Sequence, residues 1–343
     1  MDLAKITHFL HRVSKERRLS PTDTRVLEGW KWSTLLGYNA AVKKFKTFKT
    51  AIGESDYNLP LSSDDVYAFE AWAGRGANDN GAKKINATSL THYLHALKAW
   101  HTFHDATYPY HTEKRVKLML KASGRQDATL PAKQGKSPVL IPDLADLFRL
   151  LLGRGPEAEA VKDLAIVAFW GMVRLAELTY QSNSGPARLK KELTIREVTT
   201  FQNVTTLTIH EAKTAKPGEL QTIKLHHMNS PLCPAKAIER RKQATRTDFD
   251  ALFGYTTGNR RVNLTKRRVN EILRAVWSDL GRPRLTGHSF RVGGATLRNA
   301  VGIEIGEIKS LGRWTTDCYK RYVKTLSRDD FISSLEILEL QEF

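Results

Sequence analysis

Between Arg125 and Pro142 the chain reads RQDATLPAKQGKSPVLIP, with three prolines, two lysines and no helical period. Each proline fixes its own φ and removes a backbone donor, so the segment is expected to be an extended linker. A chain of 343 residues, 41% of them hydrophobic, can bury more than one core. The break near residue 130 therefore divides it into two expected domains, 1–130 and 131–343.

Upstream of the break, the spacing of apolar residues predicts a small all-α domain. Ser33-Thr34 opens a helix with Leu35, Tyr38, Val42, Phe45 and Ile52 at three- and four-residue intervals. Lys43, Lys44, Lys46 and Lys49 fill its other positions, a face suited to a phosphate backbone or simply to solvent. A second helix follows Ser62-Ser63-Asp64, with Val66, Phe69, Trp72 and Ala73 turned inward. A third carries Leu90, Leu94, Leu97 and Trp100, and a fourth runs from Glu113 to Ala122, capped at Ser123-Gly124. Gly74 to Lys84 has loop composition. His92, His95, His101 and His104 share the third helix, but no carboxylate or cysteine pattern completes a metal site; they read as helix-face residues.

Downstream, Asp143 to Leu152 and Ala158 to Tyr180 read as helices. Thr205 to His210 and Gln221 to Leu225 read as strands joined by a basic turn holding Lys213, Lys216 and Gly218. From Pro234 onward the pattern is helical. The expected fold class is mainly α with a small antiparallel β-sheet.

Lys and Arg number 54 against 36 Asp and Glu, a formal charge of +18. An excess of this size points to a polyanionic partner, because cations on phosphates release condensed counterions. The opening segment MDLAKITHFLHRVSKERR lacks a signal peptide's apolar run, and no stretch approaches a membrane span in length and apolarity. Cys233 and Cys318 are too few for a disulfide scaffold or structural zinc, which fits a reducing compartment.

The residues with the most chemistry lie between Thr286 and Lys324. His288-x-x-Arg291, at helical spacing, sends a proton-carrying imidazole and a phosphate-matching guanidinium to one face. Tyr319 and Tyr322 follow Trp314 by five and eight residues. A phenol is a poor nucleophile unless neighbouring cations and a base stabilise its phenolate. Upstream, Arg174 stands in the apolar stretch AIVAFWGMVRLAELTY with Glu177 one turn on, either a structural ion pair or a rigidly held phosphate ligand. A lysine in the turn, Lys213 or Lys216, has the reach to protonate a leaving oxygen.

The ordered set Arg174…Glu177, Lys213-Thr214, His288-x-x-Arg291, Leu311-Gly312-x-Trp314 and Tyr322-Val323-Lys324 resembles the tyrosine recombinases, or phage integrase family. GHSFRVGGAT is similar to Cre-like members, and LGRWTTDCYKRYV to transposon recombinases of the DIRS and Crypton kind. The resemblance spans about residues 160 to 325. It implies a two-domain, C-shaped clamp on duplex DNA: a helical core-binding domain and a catalytic domain. Arg174 and Arg291 would hold the scissile phosphate, Trp314 would donate its indole N–H, and His288 would assist proton transfer. Lys213 would protonate the leaving 5′ oxygen, and Tyr322 would form a 3′-phosphotyrosyl bond later attacked by another strand. No cofactor, metal, ATP or small-molecule substrate is implied. The gap from Trp314 to Tyr322 is shorter than in many family members, which keeps Tyr319 open as a rival nucleophile.

The resemblance further implies a homotetramer on DNA. FISSLEILEL, within Arg328 to Phe343, would either fold onto its own domain or dock into a neighbouring protomer, the second being the family's habit. It implies service to a mobile element, acting in the nucleus of a eukaryotic host and otherwise in the cytoplasm or nucleoid. A domesticated DNA-binding protein without cleavage, and a relaxing enzyme like the type IB topoisomerases, are the alternatives. If Lys213 is the acid, Lys213→Ala and not Lys216→Ala is expected to slow cleavage of a nicked suicide substrate, read as the rate of covalent adduct formation.

Overall fold

The computed structural model describes residues 2–12, 18–54, 57–76, 84–131, 135–212, 215–216 and 218–340. The chain forms two compact units, Met1–Lys133 and Gln134–Phe343.

The first unit is helical: α1 (Thr7–Leu10), α2 (Pro21–Glu28), α3 (Trp32–Ala51), α4 (Ser63–Ala73), α5 (Ala87–Phe103) and α6 (Glu113–Thr129). Leu35, Val42, Phe45 and Phe48 bury one face of α3 against Leu90, Leu94, Leu97 and Trp100 of α5. Ile52 falls past the end of α3 and is exposed. The Ser62 hydroxyl accepts from the Asp65 N–H while Asp65 accepts from the Ser62 N–H, which starts α4 where the Ser-Ser-Asp signal placed it.

The fourth helix does not stop at Ser123-Gly124. It runs on to Thr129 because its last turns are held from outside. Ser123 is buried and donates to Glu70, and Asp127 pairs with Arg75 while accepting from the Ala87 N–H at 2.7 Å. The expected linker thus shrinks to the residues between α6 and α7. His101 and His104 are core histidines: His101 Nε2 accepts from the Leu61 N–H while Nδ1 donates to Leu97 O.

The second unit contains α7 (Ile141–Leu151), α8 (Pro156–Trp170) and α9 (Leu175–Leu178), then strands β1 (Val198–Phe201), β2 (Val204–Ile209) and β3 (Gln221–His226). α10 (Pro234–Gln243), β4 (Gly254–Thr257), β5 (Arg260–Asn263), α11 (Lys266–Asp279), α12 (Ser289–Ala300), α13 (Ile305–Leu311) and α14 (Arg328–Glu339) complete it. The sheet β1-β2-β3 is antiparallel, with Leu207 opposite Val198 and Ile223. Leu207, Ile209, Ile223 and Leu225 turn inward from it.

Two expectations are corrected. The helix from Ala158 to Tyr180 breaks after Trp170: Gly171 has no room for a side chain, its Cβ falling 2.6 Å from Val173 and 2.8 Å from Ile223. Met172 then turns left-handed at φ +45°. The region after Pro234 is not wholly helical, since β4 and β5 form a hairpin turning at Gly258-Asn259. α14 packs on α7 of its own unit, with Ile337 and Leu338 on the core.

α12 is the buried axis of this unit. Gly293 and Gly294 let it meet α8 and the chain before α7: a Cβ at 293 would lie 1.9 Å from Val139 O, and one at 294 would lie 2.3 Å from Phe169 O. Helix propensity alone would make Gly293→Ala stabilising by about 1 kcal/mol. The collision with rigid backbone outweighs that, and a net loss of about 2 kcal/mol is expected. Denaturant midpoints check it; a variant as stable as the wild type would mean that α12 can shift freely.

Candidate active site

Three turns and one helix bring the site together. The turn after α8 delivers Arg174 as the N-cap of α9. His288 is the N-cap of α12, and Arg291 lies one turn inside it. The turn after α13 carries Gly312, Arg313 and Trp314, and a 3₁₀ turn over Asp317–Arg321 leads into Tyr322.

Arg291 is 0% exposed. Its Nη1 donates to Met172 O at 2.6 Å and its Nη2 donates to Gly312 O. The guanidinium lies 4.5 Å from the centre of the Trp314 ring and 5.3 Å from that of Tyr322. Trp314 and Tyr322 stack at 4.8 Å, and the His288 ring lies 5.1 Å from Tyr322 on another side. Tyr322 is thus ringed by His288, Arg291 and Trp314. Tyr319 packs on the same small cluster as Tyr322, that of Met172, Ala295, Ile308 and Trp314, with Lys309 Nζ 5.5 Å from its ring centre.

Glu177 is the carboxylate of the site and is itself buried. Its Oε1 accepts from Arg174 Nη1 at 2.9 Å, and its Oε2 accepts from Arg313 Nη2 at 2.8 Å. Arg313 is 8% exposed at its side chain and Arg174 is 19% exposed. Arg174 and Arg313 therefore share a single carboxylate with Arg291 nearby, leaving two positive charges in excess. Burial, then the like charges of Arg174 and Arg313, push Arg291 down to about 10. It still carries its proton at neutral pH. Such a pocket favours an anion, and it has spare donors: Trp314 Nε1, Arg291 Nε, and Arg313 Nε and Nη1 are buried with no hydrogen-bond partner among the described residues.

One hydroxyl pins the Tyr322 segment to α12. Thr296 Oγ1 donates to Tyr322 O at 3.2 Å and accepts from the Lys324 N–H at 3.1 Å.

Of the residues expected from sequence, Arg174, His288, Arg291, Trp314 and Tyr322 come together. Lys213 lies outside the described residues. Lys216 sits exposed in the β2–β3 connection, its backbone N–H bonded to Glu219. On α3, Lys43 is exposed, Lys44 lies 4.8 Å over the Trp72 ring, and Lys46 is half-buried, which lowers its pKa. Lys49 is corrected: it is 2% exposed and paired with Glu54 and Asp65, so its charge is spent inside the unit. Sequence reasoning missed Arg313. The available signal was an arginine directly after Gly312 at a helix end.

No protein-family model and no curated protein matches the chain. Among solved structures it is similar to the Tn1549 transposon integrase in complex with circular intermediate DNA, with a TM-score of 0.57, 11% identity, and coverage of 92% of this chain and 96% of that one. It is similar to the XerH site-specific recombinase bound to difH substrate in a pre-cleavage complex, with a TM-score of 0.56, 11% identity, and coverage of 98% and 90%. A lambda integrase dimer bound to a COC′ core site matches with a TM-score of 0.54, 15% identity, and coverage of 90% and 76%. The fold of this chain is that of the tyrosine recombinases.

Burial alone would push the Glu177 carboxyl up, but Arg313 and Arg174 outweigh it and hold the group below the usual glutamate range. A carboxyl depressed in the folded state adds stability above its unfolded value and loses it as pH falls through the folded value. Glu177→Gln is therefore expected to melt below the wild type at neutral pH. The gap should close as pH falls below the free glutamate value of about 4.3. A gap unchanged in acid would show that the carboxylate's charge contributes nothing.

Proposed function

We propose that this chain is a site-specific DNA recombinase that breaks and rejoins strands through a tyrosyl–DNA intermediate. The observation that carries the reading is the placement of Tyr322 among His288, Arg291 and Trp314, beside an arginine set with excess positive charge. Tyr322 Oη attacks the scissile phosphorus and gives up its proton, with His288 assisting. The bond from phosphorus to the 5′ oxygen breaks, and Lys213 supplies the proton that oxygen needs. The product is a 3′-phosphotyrosyl link and a free 5′-hydroxyl. A 5′-hydroxyl from a second strand reverses the step, so the phosphodiester energy stays in the covalent link.

Arg174 and Arg291 neutralise charge as it grows on the nonbridging oxygens, and the Trp314 indole N–H adds a fixed donor. Both are set before substrate arrives, so little reorganisation is needed in the transition state. The Tyr322 ring centre lies 5.3 Å from the Arg291 guanidinium, and engagement of a phosphate by that arginine includes moving the ring aside. Service to a mobile element, nuclear action and a homotetramer on duplex DNA belong to the same proposal. The exposed edge of α14, with Ile332, Leu335 and Leu340, is apolar surface available to a neighbouring protomer.

Tyr322→Phe is expected to abolish the covalent protein–DNA adduct formed on nicked duplexes, while Tyr319→Phe keeps it. Denaturing gels of trapped reactions read the result. An adduct of normal yield from Tyr322→Phe would exclude it as the nucleophile.

A further inference from the structure

The turn that ends α13 is built against the preference of its residues. The Trp314 N–H reaches Lys309 O at 2.9 Å and the Arg313 N–H reaches Ser310 O at 3.0 Å, the paired bonds of a Schellman cap. Arg313 is the left-handed residue of that cap, at φ +56°. Glycine usually takes this place, because a Cβ is disfavoured there. Here glycine stands one residue earlier, at Gly312, where the Trp314 ring would lie 2.0 Å from any Cβ. An arginine kept in a strained backbone conformation points to a task for its side chain.

The task is visible at Glu177. Arginine and carboxylate left to themselves favour two parallel bonds, fork to fork. Such closure would draw Arg174 onto both oxygens of Glu177 and spend its donors there. In the structure the Arg174 side chain has only Oε1, through Nη1, while Oε2 accepts from Arg313 Nη2 at 2.8 Å and from the Arg174 backbone N–H at 3.2 Å. We propose that Arg313 is a positioning residue: by occupying Oε2 it limits Arg174 to one side-chain bond and leaves the other N–H groups of Arg174 for a phosphate. The Schellman cap couples this to Trp314, since one turn sets both side chains. This inference rests on the recombinase reading for the identity of the anion, but the geometry at Glu177 stands apart from it.

The test joins high-resolution structures of the wild type and Arg313→Gly with a cleavage assay. Glycine suits the left-handed turn, so the cap is kept while the side chain is lost. In Arg313→Gly, Arg174 is expected to close onto both oxygens of Glu177; Arg174 still held by one side-chain N–H overturns the proposal. In the assay, a random-sequence pool of nicked duplexes reports covalent adduct formation. Arg313→Gly is expected to be slower by about 10²-fold, the scale of a small misplacement of a binding group. Arg313→Lys, which keeps a donor and a charge, should recover most of that rate. Adding Glu177→Gln to Arg313→Gly removes the competing charge and should also recover rate. Full activity in Arg313→Gly, or no recovery in the double variant, overturns the proposal. A wild type that forms no adduct would instead sink the recombinase reading, and the two structures would still decide the role of Arg313.

Discussion

Arg291 holds the second unit's site in one piece. It rises from the first turn of α12 and donates to two backbone carbonyls that lie far apart in sequence, Met172 O and Gly312 O. Each carbonyl stands two residues before a side chain of the site, Arg174 in one case and Trp314 in the other. A single buried guanidinium therefore fixes the distance between them. A buried cation is costly unless its donors are met and its charge is faced by something polarisable. Here carbonyl dipoles take two donors and the Trp314 ring lies against the plane. What is left over is charge without a counterion, and that residue of charge is what makes the pocket select an anion.

The glycines around α12 serve the same end by geometry. Gly293 and Gly294 allow α12 to sit where Arg291 can reach both turns, and Gly312 makes way for the Trp314 ring. They set the separations on which the charged groups depend, so a single methyl group there would be felt at the pocket.

How much of this was legible in the sequence follows from how local each cause is. Caps and apolar period are local, and α3, α4 and α5 were readable from Leu35, Ser62-Asp65 and Leu90 to Trp100. Helix ends tied to distant partners were not: α6 continues because Glu70, Arg75 and Ala87 hold it, and α8 gives way to the left-handed Met172 where Gly171 lies close against Ile223. The cluster from His288 to Tyr322 was visible because its spacing and order are sequence properties. Lys49 was misplaced because Asp65 faces it from another element. Arg313 was passed over for a related reason: its place after Gly312 was visible, but its role depends on a left-handed turn and on a carboxylate far upstream.

The Thr296 hydroxyl also bears on how the site opens. It holds the backbone on either side of Val323, directly after Tyr322, with two neutral hydrogen bonds. Bonds of this kind contribute about 1 kcal/mol each, so freeing the segment costs about 2 kcal/mol before ring contacts are counted. A conformer lying a few kcal/mol above the ground state is populated at roughly 0.1–10%. Exposing Arg291 by moving this segment therefore costs at least those two bonds, and any ligand that favours the opened form has to offset them.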